Sequence, residues 1–219
     1  MTPPHSAALS PDGERDLARV VAALADAGVF APQVPDPAYL RDPVADQGEP
    51  VTADTVLAAL DEVSYYRPGF DPSVYSANLA FHSSHSEQFA DVLRAQVDDI
   101  VRLAGGGLDG LTPAVELTER AGTGRVPTVI RLADDRVLAY DGAVKYLSTE
   151  LHVALARILR VRRGPLRLAW LWSDQGVWLS GLPDRTVERL NAALGAAAGA
   201  GWEWVDEQAP TAAGEMFPP

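Results

Sequence analysis

The spacing of hydrophobic residues changes near the middle of the chain. In the first half, apolar residues recur every three or four positions, as they do on one face of an α-helix. This spacing predicts a helix that begins after Ser10 and ends at Gly28, a second that begins after Thr52, and a third from Glu87 to about Leu103. The proline-rich stretch 30–50 between the first two is expected to be a long loop or linker, and a short strand is predicted within 74–81.

The second half alternates apolar and polar residues, which is typical of β-strands. Strands are predicted at 114–120, 126–132 and 136–140, then a helix that begins at Ser148, a hairpin over 166–180, a helix after Leu182, and a last short strand at 202–205. Hairpins outnumber parallel crossovers in this order. The sequence therefore predicts an α+β fold, with a helical N-terminal part, a mostly antiparallel C-terminal sheet and two further helices.

The domain organisation follows from length and composition. With 219 residues and 47% hydrophobic content, the chain can bury a sizeable core. We expect a single α+β domain over residues 1–219. Its sub-division would be a mainly helical acidic part at 1–110, a hairpin-rich sheet with two helices at 111–205, and a frayed tail at 206–219.

Negative charge is concentrated in the first half of the chain. Residues 1–110 hold 17 Asp and Glu against 6 Arg, residues 111–219 hold 13 against 12 Arg and Lys, and the net charge is -12. A field of this sign repels nucleic acid and anionic membranes and attracts basic surfaces, so the expected partner is a basic protein. The acidic residues expected to form the binding surface are Asp61, Glu62, Asp98 and Asp99. The competing interpretation is that the charges spread evenly and only keep the protein soluble.

Composition also limits the cellular compartment that we expect for the protein and the reactions that its side chains can carry out. The chain has no cysteine, which excludes disulfides, thiolate zinc sites and a cysteine nucleophile. The first residues lack the basic and apolar regions of a signal peptide, and no run of about 18 apolar residues follows. We expect a cytoplasmic protein without a cofactor or resident metal, and the oligomeric state stays open.

The segment 81–87, Phe-His-Ser-Ser-His-Ser-Glu, is the densest group of chemically able side chains. His82 and His85 are candidate catalytic or metal-binding residues if Glu150 or His152 arrives from elsewhere in the fold. The serines of the same segment, Ser83, Ser84 and Ser86, could hold an anion at the start of the third helix. The competing interpretation is structural. Ser84 and Glu87 match a capping box, in which the Glu87 carboxylate would accept a hydrogen bond from the Ser84 amide at the helix N-terminus.

All five tryptophans follow residue 169. Trp170 and Trp172 continue an alternating apolar row begun by Leu166 and Leu168, which indicates core packing. Trp202 and Trp204 lie on a short strand near the end and are expected to be the more exposed pair.

Two functional classes remain after these exclusions. The first is a non-catalytic binding, regulatory or inhibitor module, similar in kind to an immunity protein, that uses an acidic surface. The second is a small-molecule enzyme, or a ligand or metal binder, with a site around His82 and His85. The first class is favoured because no high-specificity catalytic motif occurs, and a binding module needs none.

Overall fold

The computed structural model describes residues 8–87, 89–105, 114–117, 125–131, 137–143, 147, 149–161, 165–196 and 201–208. These residues form an α+β fold, as the sequence predicts. The described helices are α1 (Pro11–Ala27), α2 (Pro37–Gln47), α3 (Ala53–Tyr66), α4 (Ala90–Leu103), α5 (Thr149–Val161) and α6 (Thr186–Leu194). The described strands are β1 (Leu79–Ser83), β2 (Ala114–Leu117), β3 (Arg125–Arg131), β4 (Val137–Ala143), β5 (Arg167–Trp172), β6 (Gly176–Leu182) and β7 (Glu203–Trp204). No helix among these residues is both long enough and apolar enough to span a membrane.

The strands form two sheets. One has the order β1-β6-β5-β7 and the other the order β2-β3-β4. The predicted hairpins are confirmed: β3 pairs antiparallel with β4, and β5 pairs antiparallel with β6, Trp170 lying opposite Leu179. Strand β6 lies between two neighbours and is buried along its whole length, which explains its nearly continuous apolar sequence.

The chain divides into two compact units. Unit 1 is Met1–Leu79 with Arg185–Trp202, so that α6 packs on α1, and unit 2 is Ala80–Asp184 with Glu203–Pro219. These boundaries differ from the expected sub-division at residue 110, because α4 lies in unit 2 and the last helix, α6, lies in unit 1. The expectation of a single domain stays a prediction.

Helices α1 and α3 begin where the sequence predicts, because their caps are local. The Ser10 side chain accepts a hydrogen bond from the Gly13 amide, and α1 ends at Gly28, which has a left-handed backbone with φ of 82°. At α3, the side chains of Thr52 and Thr55 cap each other's amides reciprocally.

The expectation of a loop over 30–50 was wrong, because α2 lies within it. Asp36 caps this helix by accepting from the Ala38 amide at 2.9 Å, and Pro37 takes the first helical position, where a missing N–H costs nothing. Pro43 lies inside α2 and is buried together with Leu40 and Val44. Burial of this apolar side therefore offsets the hydrogen bond that Pro43 cannot make.

Helix α4 begins three residues later than predicted, at Ala90, and the predicted capping box was wrong. Ser84 is buried in the preceding turn, and Phe89 occupies the N-cap position without a side-chain cap. Phe89 is therefore 51% exposed, although we expected it in the apolar stripe. The rest of the stripe is confirmed, since Leu93, Val97 and Ile100 are buried in the core of unit 2.

The tryptophans are more buried than the sequence indicates. Trp170 is buried and Trp172 packs partly buried against the same core, as expected. The expectation that Trp202 and Trp204 would be exposed was wrong, because both are buried. Asn191 on α6 bonds to the backbone of Trp202 in both directions, and the Arg167 guanidinium lies 4.3 Å from the centre of the Trp204 ring.

Candidate functional site

Two predicted site residues, His82 and His152, meet in the interior of unit 2. Strand β1 carries His82 and helix α5 carries His152, and the His82 Nδ1 atom lies 2.8 Å from the His152 Nε2 atom. The two rings have centroids 5.0 Å apart and are tilted by 60°. A distance of 2.8 Å is a good hydrogen bond, so one of these nitrogens donates and the other accepts.

A carboxylate from a third element continues this chain of hydrogen bonds. Asp99 on α4 places its Oδ2 atom 3.4 Å from the His82 Nε2 atom, and Arg102 on the next turn donates to the Asp99 Oδ1 atom at 2.8 Å. Burial would raise the pKa of Asp99, but the hydrogen bonds from His82 and Arg102, together with their charges, lower it. We call His82, His152, Asp99 and Arg102 the histidine network.

The ionised Asp99 fixes the place of one proton. Because a carboxylate only accepts, the His82 Nε2 atom donates to Asp99, and of the His82 Nδ1 and His152 Nε2 atoms one donates and the other accepts. This arrangement orients both rings in the way that a carboxylate orients a catalytic imidazole. In chemical terms, the network can hold or relay a proton.

Burial limits what the histidine network can do. His82 is 4% exposed and His152 is fully buried, and the ring of Trp170 lies 6.5 Å from that of His152. A reactant would touch either imidazole only after the surrounding side chains moved apart. The geometry therefore favours a structural role, in which each histidine gives the other a hydrogen-bond partner inside the core.

The other residues proposed for this site lie elsewhere. His85 is exposed, and its Nδ1 atom is 2.9 Å from the Ser84 hydroxyl. Glu150 lies on α5 two residues before His152, and residues two apart point to nearly opposite sides of a helix. In the described part of the chain, no group of three or more His, Asp or Glu side chains has an arrangement that could hold a metal ion.

Of the three serines proposed to bind an anion, Ser83 ends β1, and Ser84 and Ser86 lie between β1 and α4 and not at the N-terminus of α4. The His85 amide donates to the Ser83 hydroxyl at 3.3 Å, and the Ser86 hydroxyl donates to the Ser83 carbonyl at 3.2 Å. These contacts hold the turn together. Anion binding at Ser83, Ser84 and Ser86 stays a prediction.

In unit 1, carboxylates gather on the outer side of α2 and α3. Asp42 and Asp46 are exposed one turn apart on α2, and on α3 Asp61 is exposed and Glu62 half-buried. We call these four residues the acidic face. Tyr66, the last residue of α3, donates its hydroxyl proton to Asp46.

Three carboxylates of the acidic face act on Tyr66. The hydrogen bond to Asp46, partial desolvation and the negative charges of Asp46, Glu62 and Asp42 raise the pKa of Tyr66 to about 12. An interaction of this kind falls off with distance and is screened by salt, so the carboxylates that act on Tyr66 lie around it. Helices α2 and α3 also have no basic residue in their last turns.

Other carboxylates of unit 1 have local structural partners. Asp12 and Asp16 pair with arginines three residues later on α1, and Glu14 pairs with Arg41 at 2.6 Å. Glu49 accepts from the Ser10 amide at 3.0 Å. The acidic excess is thus partly used in folding, and Arg41, which is on α2 beside Asp42, pairs with Glu14 of α1.

The predicted acidic residues of unit 2 differ from each other. Asp98 is exposed on α4. Asp99 turns toward the protein and belongs to the histidine network. Sequence reasoning placed Asp99 on a surface and missed its contact with His82, because the two residues are 17 positions apart on different elements.

Three described arginines in or near α5 bond to acidic groups and carbonyls. Arg160 pairs with Asp184 at 2.7 Å, and Arg167 pairs with Asp206 at 2.7 Å and with Glu207. Arg157 donates to the carbonyls of Asp206 and Gln208. These contacts fix the described part of the expected tail, and residues 209–219 lie outside the described residues.

No protein family, curated protein or solved structure matches this chain. The argument for its function therefore rests on its own residues and geometry.

Proposed function

We propose that this protein is a non-catalytic binding module, regulatory or inhibitory in kind, whose acidic face binds a basic segment of a partner protein. The observation that carries the proposal is the gathering of Asp42, Asp46 and Glu62 around Tyr66, with Asp61 beside Glu62. Fixed negative charges on a surface speed the encounter with a basic partner and favour it over other partners.

The positions of these carboxylates are unfavourable for the helices that carry them. Asp42 and Asp46 are four residues apart on α2, and like charges at this spacing destabilise a helix by about 0.2–0.5 kcal/mol. Asp46 also lies in the last turn of α2, where the helix dipole disfavours negative charge. Asp46 accepts the Tyr66 hydroxyl and so also serves the fold, and the unfavourable spacing of the two like charges on α2 supports a role in binding.

Aromatic side chains adjoin the acidic face, and they can add contact energy that charge alone does not provide. Tyr39 is three residues before Asp42 on α2 and so shares its side of the helix. Its ring packs edge-on against Phe70 at 6.1 Å, and the guanidinium of Arg67 lies 4.6 Å from its centre. Tyr65 on α3 is 85% exposed. Tyrosine and arginine are the residue types that most often carry binding energy in protein interfaces.

The experiment is capture of partners from an extract of the native host by the immobilised full chain, with identification by mass spectrometry. It compares the wild type with the double variant Asp61→Lys/Glu62→Lys at about 50 and about 300 mM salt, which changes screening strongly. We expect a basic protein that the wild type retains at low salt, that is released at high salt, and that the double variant fails to retain.

A matched control removes the same amount of negative charge elsewhere. Asp91→Lys/Asp98→Lys changes two exposed carboxylates of α4 in unit 2 and gives the same net charge as the double variant. We expect this control to retain the partner. Equal loss with both variants would assign the attraction to net charge, and capture that ignores salt and both variants would contradict the proposal.

A second candidate is a small-molecule enzyme or ligand binder that uses His82 and His152 as proton-transfer groups. Its support is the chain of hydrogen bonds from Asp99 through His82 to His152. A test is to measure, by NMR, whether the ring signals of His82 and His152 shift with added metabolite mixtures. Rings that never respond while the protein stays folded would leave the network with a structural role.

A further inference from the structure

A cavity of about 250 Å³ lies between α1 and α6 in unit 1. Small side chains make room for it, and three polar residues are among those that line it. The residues that matter here are Ala23, Asp26 and Ala27 of α1, and Thr186, Arg189 and Ala193 of α6. Sequence reasoning placed Asp26 only among the charges of the acidic half, and it singled out neither Thr186 nor Arg189.

The fold gives the Thr186 hydroxyl no partner. Thr186 is 3% exposed, and its Oγ1 atom makes no hydrogen bond within the described part of the chain. Buried hydroxyls are nearly always hydrogen-bonded, because leaving one unsatisfied is costly. Thr186 is also the first residue of α6, whose N-cap residue, Arg185, makes no side-chain cap. The start of this helix therefore carries a buried polar group that a ligand could satisfy.

Two opposite charges line the same cavity without pairing. Asp26 and Arg189 are exposed at its edge, and neither forms an ion pair with any residue that the structure describes. Oppositely charged side chains that border one cavity and stay apart can each bind a charged group of the same ligand.

From this arrangement we infer that the cavity binds a small zwitterion, an α-amino acid. The carboxylate of the ligand lies against the Arg189 guanidinium and the Thr186 hydroxyl, at the positive end of the α6 dipole. The ammonium group lies against Asp26, and the ligand side chain packs among Ala23, Ala27 and Ala193. A cavity of this size, with alanine walls, suits an amino acid with a small or medium apolar side chain.

The test titrates the standard α-amino acids one at a time into the full chain and follows the backbone amide signals by NMR. We expect saturable shifts at Thr186 and Arg189 with a small group of apolar amino acids. The corresponding carboxylic acids without an ammonium group, and the amines without a carboxylate, should bind at least about tenfold more weakly, because each keeps only one charged contact.

Variants separate this site from a general charge effect. Arg189→Gln and Thr186→Val should each weaken binding by about tenfold or more, while Thr186→Val should also raise the melting temperature of the ligand-free protein. The matched control is Arg15→Gln on α1, which removes an exposed arginine that pairs with Asp12 and does not line the cavity. Absence of saturable shifts with every amino acid, or equal binding by the three variants and the wild type, would overturn the inference.

Discussion

The histidine network in unit 2 and the acidic face in unit 1 use polar residues in opposite ways. In the network, Asp99 accepts from Arg102 and from His82, and His82 meets His152, so charges and lone pairs find partners inside the fold. On the acidic face, carboxylates crowd around one tyrosine hydroxyl and raise its pKa. The comparison teaches that residues capable of catalysis or binding do not indicate function when the fold already gives them hydrogen-bond and charge partners. Polar groups that the fold places next to like charges are better indicators.

The largest expected effect concerns the interior that encloses the histidine network. Trp170→Ala should lower the free energy of unfolding by about 3–5 kcal/mol, because it removes a buried ring and leaves a cavity beside His152. Chemical denaturation measures it. Trp172→Ala, on the same strand but only partly buried, is the control and should cost less. Equal and small losses would mean that this region is not a packed core.

A second prediction compares one substitution at two helix starts. Thr186→Val should raise the free energy of unfolding by about 1 kcal/mol, since it removes a buried hydroxyl that lacks a partner. Thr52→Val should lower it by about 1 kcal/mol, since Thr52 caps α3. Thermal unfolding of both variants checks the signs. Destabilisation by both would show that the Thr186 hydroxyl is satisfied in solution.

A third prediction concerns how the stability of the fold depends on pH in acid. Since hydrogen bonds from His82 and Arg102 outweigh burial and lower the pKa of Asp99 below its ordinary 3.8, the ionised carboxylate stabilises the fold fully above that pH. This stability is lost as the pH falls through the lowered value. Asp99→Asn should therefore flatten the dependence of stability on pH below about 4, which acid titration followed by circular dichroism measures. Asp98→Asn controls for the loss of one charge, and identical curves for Asp99→Asn and the wild type would contradict the network.

The smallest expected effect is the change in the free energy of unfolding when one charge of the acidic face is removed. Asp42→Asn should raise the free energy of unfolding by about 0.2–0.5 kcal/mol, because it removes a like charge one turn from Asp46. The same change should weaken capture of the basic partner. A gain in stability with a loss of binding is typical of residues kept for function. A variant that is less stable than the wild type would show that Asp42 serves the fold.

Much of the fold follows from local sequence signals. The caps at Ser10, Gly28 and Thr52 act within a few residues, and the alternation from Leu166 to Trp172 predicts the strand that the structure has at Arg167–Trp172. Helix α2 could not be predicted in this way. Its prolines, Pro37 and Pro43, are typical of loops, and only burial against the rest of unit 1 overrides that preference.

The candidate sites were predictable to a smaller extent. Charge counts predict an acidic surface in the first half, and Asp61 and Glu62 lie on the acidic face. The same counts cannot tell that Asp99 turns toward His82, or that His152 meets His82 across 70 positions. Those contacts depend on how β1, α4 and α5 pack, and the missing partner of Thr186 likewise becomes visible only once α6 has packed.

The central claim is that the acidic face attracts a basic partner, and the rate of association with the captured protein tests it most directly. Stopped-flow measurements would compare the wild type with Asp61→Lys/Glu62→Lys over about 50 to about 300 mM salt. Electrostatic attraction predicts a wild-type rate constant that falls steeply with salt, and a variant rate that is much lower at low salt and nearly flat. A wild-type rate that does not depend on salt, or a variant with the same rate and the same salt dependence, would contradict the account.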